Sequence, residues 1–233
     1  MLNRLVMVLS VGFVWDSSVV IGVQDNGGEE PPAKHRKLSP SEKITAIDTI
    51  KNTKELNFST ARLSRSGCDV VFSFLPLFSN LESLNLSKCH LNPVTFSNVL
   101  PQISHLEVLY LNKTQLGDTG LQVLSPVLGQ MPKLLFLDLE YNGIGEIGIQ
   151  AFSKSLAQSN LEVLGLSGNN LNDAVAYRLS VSMPPSMLEL YVINNSFSLR
   201  GKNALLLAEK LANYFRENDF LDVILKKDDS EEF

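Results

Sequence analysis

The sequence is poor in the residues that usually announce chemistry. Among its 233 residues are two cysteines, three histidines and one tryptophan, and aromatic residues make up only 8 %. Two cysteines are too few for a fold built on disulfides. His35 lies in a polar stretch, His90 in a turn and His105 just ahead of a strand, and none has a metal-ligand or triad partner at usable spacing. Gly143, Gly145 and Gly148 lack the lysine that a phosphate-binding loop requires. The carboxylates Asp138 and Glu140 are two apart but have no acid or base partner of contrasting environment. With 20 basic against 25 acidic residues, a net charge of −5 and no long basic block, a nucleic-acid-binding face is not expected either. No catalytic centre, cofactor, metal or small-molecule substrate is predicted.

What the chain has in excess is leucine, at 39 residues. Eighteen of them fall in one repeated pattern. The pattern L-x-x-L-x-L-x-x-N-x-L fits TKELNFSTARL from Thr53, LESLNLSKCHL from Leu81, LEVLYLNKTQL from Leu106, LLFLDLEYNGI from Leu134, LEVLGLSGNNL from Leu161 and MLELYVINNSF from Met187. These starts are 28, 25, 28, 27 and 26 residues apart, the sequence mark of a solenoid. Positions four and six, such as Leu84 and Leu86, point to one side of a short strand while Ser83, Asn85 and Ser87 point to the other. Position nine holds Asn142, Asn169 and Asn195 in the last three copies, where a side-chain amide can bond the open backbone groups of the bend. Ala61, Cys89 and Thr114 fill that slot in the first three, so the polar ladder is expected to weaken toward the N-terminus.

Each copy continues into a helix signal. Asn92-Pro93, Asp118 or Thr119, and Asn172 or Asp173 are candidate caps, and Phe96, Val99, Leu100 and Ile103, like Leu121, Leu124 and Leu128, follow at helical spacing. Pro101 and Pro126 predict short or kinked helices in repeats two and three. A strand plus a helix every 25 to 28 residues over positions 53–217 resembles the ribonuclease-inhibitor-like class of leucine-rich repeats. The resemblance implies an α/β solenoid, a right-handed horseshoe with a parallel concave sheet and convex helices. That class includes nuclease inhibitors and activators of a small GTPase, so an intracellular regulator or inhibitor of such an enzyme is one implied function. A non-catalytic protein-interaction module is the other.

Outside the repeats, residues 39–52 read as a cap helix, opened by the capping box Ser39-Pro40-Ser41-Glu42 and carrying Ile44, Ile47 and Ile50 on one face. Residues 218–233 read as a closing strand, with Phe220, Val223 and Leu225 at positions one, four and six, followed by an acidic tail. The last helix is expected to run long, through Ala204, Leu207, Ala208, Leu211, Ala212 and Phe215. Residues 1–23, with the apolar run Leu5 to Trp15, resemble a signal peptide with Val20 and Gly22 before a cut at Val23, or a membrane anchor if uncut. Residues 24–38 read as a polar linker containing the basic cluster Lys34-His35-Arg36-Lys37. Export is therefore the expected destination, whereas the repeat class is mostly cytoplasmic and Cys68 and Cys89, one in a helix and one in a turn, are not expected to bridge.

Stacked strands bring outward positions of successive repeats side by side at about 4.8 Å. Position three gathers Glu55, Ser83, Val108, Phe136, Val163 and Glu189, and position five Asn57, Asn85, Tyr110, Asp138, Gly165 and Tyr191. Position eight gathers Thr60, Lys88, Lys113, Tyr141, Gly168 and Asn194. Four aromatics thus meet on one face, and Tyr110, Phe136, Asp138, Glu140, Tyr141 and Tyr191 are the candidate contact residues for a protein partner of a monomeric module.

Overall fold

A computed structural model describes residues 48–214 and 221–225. The chain divides into two compact units, residues 1–52 and 53–233. In the first, residues 48–52 are helical, in keeping with the end of the expected cap helix. The leader, the basic linker and the capping box lie outside the described residues, as do Phe215, Phe220 and the acidic tail.

The second unit is one sheet of seven parallel strands in chain order. These are β1 (Glu55–Asn57), β2 (Ser83–Asn85), β3 (Val108–Tyr110), β4 (Phe136–Asp138), β5 (Val163–Gly165), β6 (Glu189–Tyr191) and β7 (Asp222–Ile224). Every strand occupies positions three to five of its repeat, and the registers align position on position: Leu84 with Leu109, Leu137 with Leu164, and Leu190 with Val223. Six helices alternate with the strands: α1 (Arg65–Phe74), α2 (Pro93–Val99), α3 (Gly117–Leu128), α4 (Glu146–Ala157), α5 (Asp173–Ser182) and α6 (Leu199–Tyr214). The arrangement is a leucine-rich repeat solenoid.

Its core is the repeated leucine set. Positions one, four and six of repeats two to five are at most 2 % exposed, and each such leucine contributes about 1.5–3 kcal/mol by leaving water. The helices close the other side through Phe72, Phe96, Leu121, Phe152 and Leu179, all buried. Phe72 stacks on Phe96 at 4.8 Å, joining α1 to α2.

The asparagines of position nine tie neighbouring repeats together. Asn142 Oδ1 accepts the N–H groups of Thr114 at 3.0 Å and Leu116 at 3.2 Å, and its Nδ2 donates to the carbonyls of Leu111 and Leu139. One repeat on, Asn169 accepts from Asn142 and Ile144 and donates to Leu139 and Leu166. Asn195 keeps one accepted N–H, that of Leu171, and donates to Leu166 and Val192. In repeat two only the thiol of Cys89 reaches the equivalent carbonyl, that of Phe58, at 3.6 Å. The ladder thins toward the N-terminus as its residue types predict.

Three expectations need correction. Asp118 caps not its own helix but the next one, accepting from Gly145 N at 2.6 Å and Gly148 N at 2.9 Å, because the stacking puts its carboxylate over the open end of α4. Pro101 does end α2, which passes into a tighter turn over Leu100–Ile103, but α3 runs on through Pro126 to Leu128. Pro126 stands two residues from the end of α3, so the hydrogen bond it removes is terminal and the preceding turns stay intact. Finally, α6 is the longest helix among the described residues, yet it buries Leu205 while Leu207 and Leu211 are more than half exposed. The leucines at 205, 206 and 207 follow one another, and only one of three consecutive helical positions can face the core.

Candidate functional site

The outward positions form the face that the strand registers impose. Along position three, Val108 lies beside Phe136, Phe136 beside Val163 and Val163 beside Glu189; along position five the order is Tyr110, Asp138, Gly165 and Tyr191. Tyr110 and Phe136 stand on adjacent strands and their rings pack at 4.8 Å, tilted by 48°. Both are half-buried by each other, so the pair is a fixed apolar ledge.

Tyr141 comes from position eight, where the chain turns out of the strand. Lys88, Lys113, Tyr141, Gly168 and Asn194 all hold positive φ there, between 53° and 67°. The shared left-handed conformation aims successive side chains the same way. Lys113 places its Nζ 4.8 Å from the centroid of the Tyr141 ring, and Asn194 Nδ2 lies 3.5 Å from the Tyr141 hydroxyl. Between them Gly168 has no side chain, and a Cβ there would meet Tyr141 Cδ1 at 2.3 Å. The ring therefore lies flat across repeat five and remains 45 % exposed.

The polar members behave differently from one another. Asp138 is only 9 % exposed; its carboxylate accepts from Asn112 Nδ2 at 2.5 Å and from Glu140 N at 2.9 Å. It locks the strand ending of repeat four to repeat three. Glu140 is part-exposed, and burial raises its pKa above the usual carboxylate range, an effect that Asp138 adds to and that Ser167 and Lys113 oppose. Tyr191 donates to Glu189 Oε2 at 2.5 Å, which with burial and the neighbouring carboxylates pushes the phenol up to about 12. Gly165 separates the two sides, since a Cβ there would come to 3.2 Å from both Asp138 Oδ1 and Glu140 Cγ.

The six expected contact residues thus fall on one face in two groups. Tyr110, Phe136, Asp138, Glu140 and Tyr141 cluster on repeats three and four, and Tyr191 stands beyond the glycine gap of repeat five. The stacked positions already contain Lys113, Gly168 and Glu189, but their part in holding the rings, and that of Asn112 in holding Asp138, emerges only from the geometry. Their signal was present in the repeat, because Lys113 and Gly168 share position eight with Tyr141. Among the described residues no group of histidine, cysteine and carboxylate side chains has the makings of a metal site, and no helix is long and apolar enough to cross a membrane.

Family models agree with this repeat architecture. Leucine-rich repeat family models match residues 102–125 and 130–153, and another matches residues 80–101. Protein PAC2 of Saccharomyces cerevisiae is 29 % identical over 186 residues, covering 77 % of this chain but 33 % of the yeast protein. The chain therefore spans about a third of the length of that curated relative. Among solved structures, Leiomodin-1 Actin-Binding Site 2 superimposes with a TM-score of 0.38 at 15 % identity, over 74 % of this chain and 92 % of that one.

Proposed function

We propose that this leucine-rich repeat protein is a non-catalytic interaction module that grips a partner protein with the outward face of repeats three to six. Leucine-rich repeats are protein-interaction modules, and here four aromatic side chains, Tyr110, Phe136, Tyr141 and Tyr191, stand on that face. The observation that carries the reading is Tyr141. An exposed aromatic ring held by Lys113 on one side and laid across Gly168 on the other is fixed before any partner arrives. Rigid aromatic anchors give contact area at small entropic cost, which is why tyrosine is enriched at binding hot spots. The Tyr110–Phe136 ledge and Tyr191 supply further anchors, and Glu140 supplies charge between them. The apolar run Leu5–Trp15, with Val20 and Gly22 ahead of Val23, supports delivery of the module by export.

The test is affinity capture and calorimetry with the double variant Phe136→Ala/Tyr191→Ala. Binding is expected to fall by a factor of 100 or more, about 3 kcal/mol, with the melting temperature nearly unmoved. Undiminished binding by a folded double variant would move the partner surface elsewhere.

A further inference from the structure

Cys68 and Cys89 are both fully buried, one on α1 and the other at position nine of repeat two. Their positions in the repeat pattern separate them, but the structure does not. The carbonyl of Leu63 accepts the backbone N–H of His90 at 2.8 Å and has the Cys68 sulfur 4.0 Å away, so α1 is drawn over the turn that carries Cys89. The neighbouring Cys89 thiol and burial raise the pKa of Cys68, while the Cys68 thiol lowers that of Cys89 to about 7 against the opposing effect of burial. Cys89 also stands where later repeats have the asparagine that ties each repeat to its predecessor.

We infer that Cys68 and Cys89 are an oxidisable pair which closes to an intramolecular disulfide on meeting a low-molecular-weight disulfide such as oxidised glutathione, stapling repeat one to repeat two. The exchange starts when this edge of the sheet opens locally, which the sparse polar ladder of the first repeats favours. The Cys89 thiolate attacks one sulfur of the glutathione disulfide and releases one glutathione thiolate. Reclosing then brings the Cys68 thiolate onto the Cys89 sulfur of the mixed disulfide, and the second glutathione leaves. The two cysteines lose two protons and two electrons, and the oxidised glutathione takes them up to become two reduced molecules. Packing favours the internal bond, because the core that holds the two sulfurs together has no room for a glutathionyl group.

The test is intact mass of the full chain equilibrated with oxidised glutathione under about a ten-fold excess of reduced glutathione, then denatured and treated with N-ethylmaleimide. The expected product carries no maleimide, is lighter than the dithiol by two hydrogens and yields a cross-linked peptide joining Cys68 to Cys89. Its melting temperature should lie roughly 5–10 °C above that of the reduced protein. The variant Cys89→Ser should take up one maleimide and show no rise. Two maleimides at every redox ratio, separate glutathione adducts on the two cysteines, or a cross-linked dimer would each overturn the assignment; the first needs only the unaltered chain.

Discussion

Replacing Asn142 with alanine should be among the most damaging single changes in the solenoid. The side chain is 4 % exposed, and its removal strips the bonding partner from the N–H groups of Thr114 and Leu116, while the Leu111 carbonyl keeps the Thr114 hydroxyl at 2.9 Å. The Leu139 carbonyl keeps one partner, Asn169 Nδ2 at 3.1 Å. A buried donor left unpaired costs about 1–3 kcal/mol, so the two N–H groups together should cost about 2–6 kcal/mol. Set against the 5–15 kcal/mol of ordinary domain stability, that is a substantial fraction of the total. Asn195→Ala removes one accepted N–H from a part-exposed site and should cost only about 1–2 kcal/mol. Urea unfolding followed by circular dichroism measures both. In the double variant Asn142→Ala/Asn169→Ala the Leu139 carbonyl loses both side-chain partners, so the losses should exceed their sum. A cost below about 1 kcal/mol for Asn142→Ala, or equal costs at 142 and 195, would refute the ladder as the agent of inter-repeat cohesion.

Three further outcomes follow from the same geometry. Gly168→Ala should dislodge Tyr141 and weaken partner capture, because its Cβ meets the ring at 2.3 Å on top of a φ of +67°. Gly143→Ala, at a φ of +68° with nothing within 4 Å, carries the backbone strain alone; tyrosine ring resonances that shift equally in the two would contradict the packing argument. Glu140 has a folded-state pKa above its unfolded value, so its favourable contribution is full at pH below the unfolded pKa and is lost as pH rises through the folded one. Glu140→Gln should thus raise the melting temperature at neutral pH, with the gain vanishing as pH falls through the carboxylate range; a pH-independent gain would assign the effect to packing instead. Mass measurement of the mature N-terminus in the native cell should find Val23 first, and an intact Met1 on a cytosolic protein would dispose of export.

How much of this is legible in the sequence follows from what repeats. The strand positions, the core face and the registers are dictated by Leu84, Leu109, Leu137 and Leu164 and their counterparts, since a period-two pattern inside a constant repeat leaves one way to stack. The ladder of Asn142 and Asn169 was equally readable, because the residue type and the slot coincide. What the pattern hides is contact made outside strand register. Cys68 meets Cys89 because a helix leans over a turn, and no offset between two repeat positions encodes that lean. Asp118 looks like the cap of its own helix, yet the carboxylate serves the following one, a displacement set by the stagger between stacked repeats. Consecutive leucines at 205, 206 and 207 give no sign of which one is core, because all three suit it in type.

The division between scaffold and surface also decides which of the candidate contacts can be read as contacts. Tyr141, exposed and held only by Lys113 and a distant Asn194 amide, can be removed without opening the core. Tyr110 and Phe136 support chiefly one another, so each single loss weakens the other ring's placement. Asp138 belongs to the other category. It lies on the outward face by register, but its bonds to Asn112 and to the Glu140 N–H make it the polar counterpart, on the concave side, of what the asparagines do in the turns. A binding defect from Asp138→Ala would therefore report a disordered ledge rather than a lost contact, whereas one from Tyr141→Ala would report the contact itself. The glycines of repeat five complete the distinction: Gly165 and Gly168 present no side chain to a partner, and their part is to leave the space that Glu140 and Tyr141 lean into.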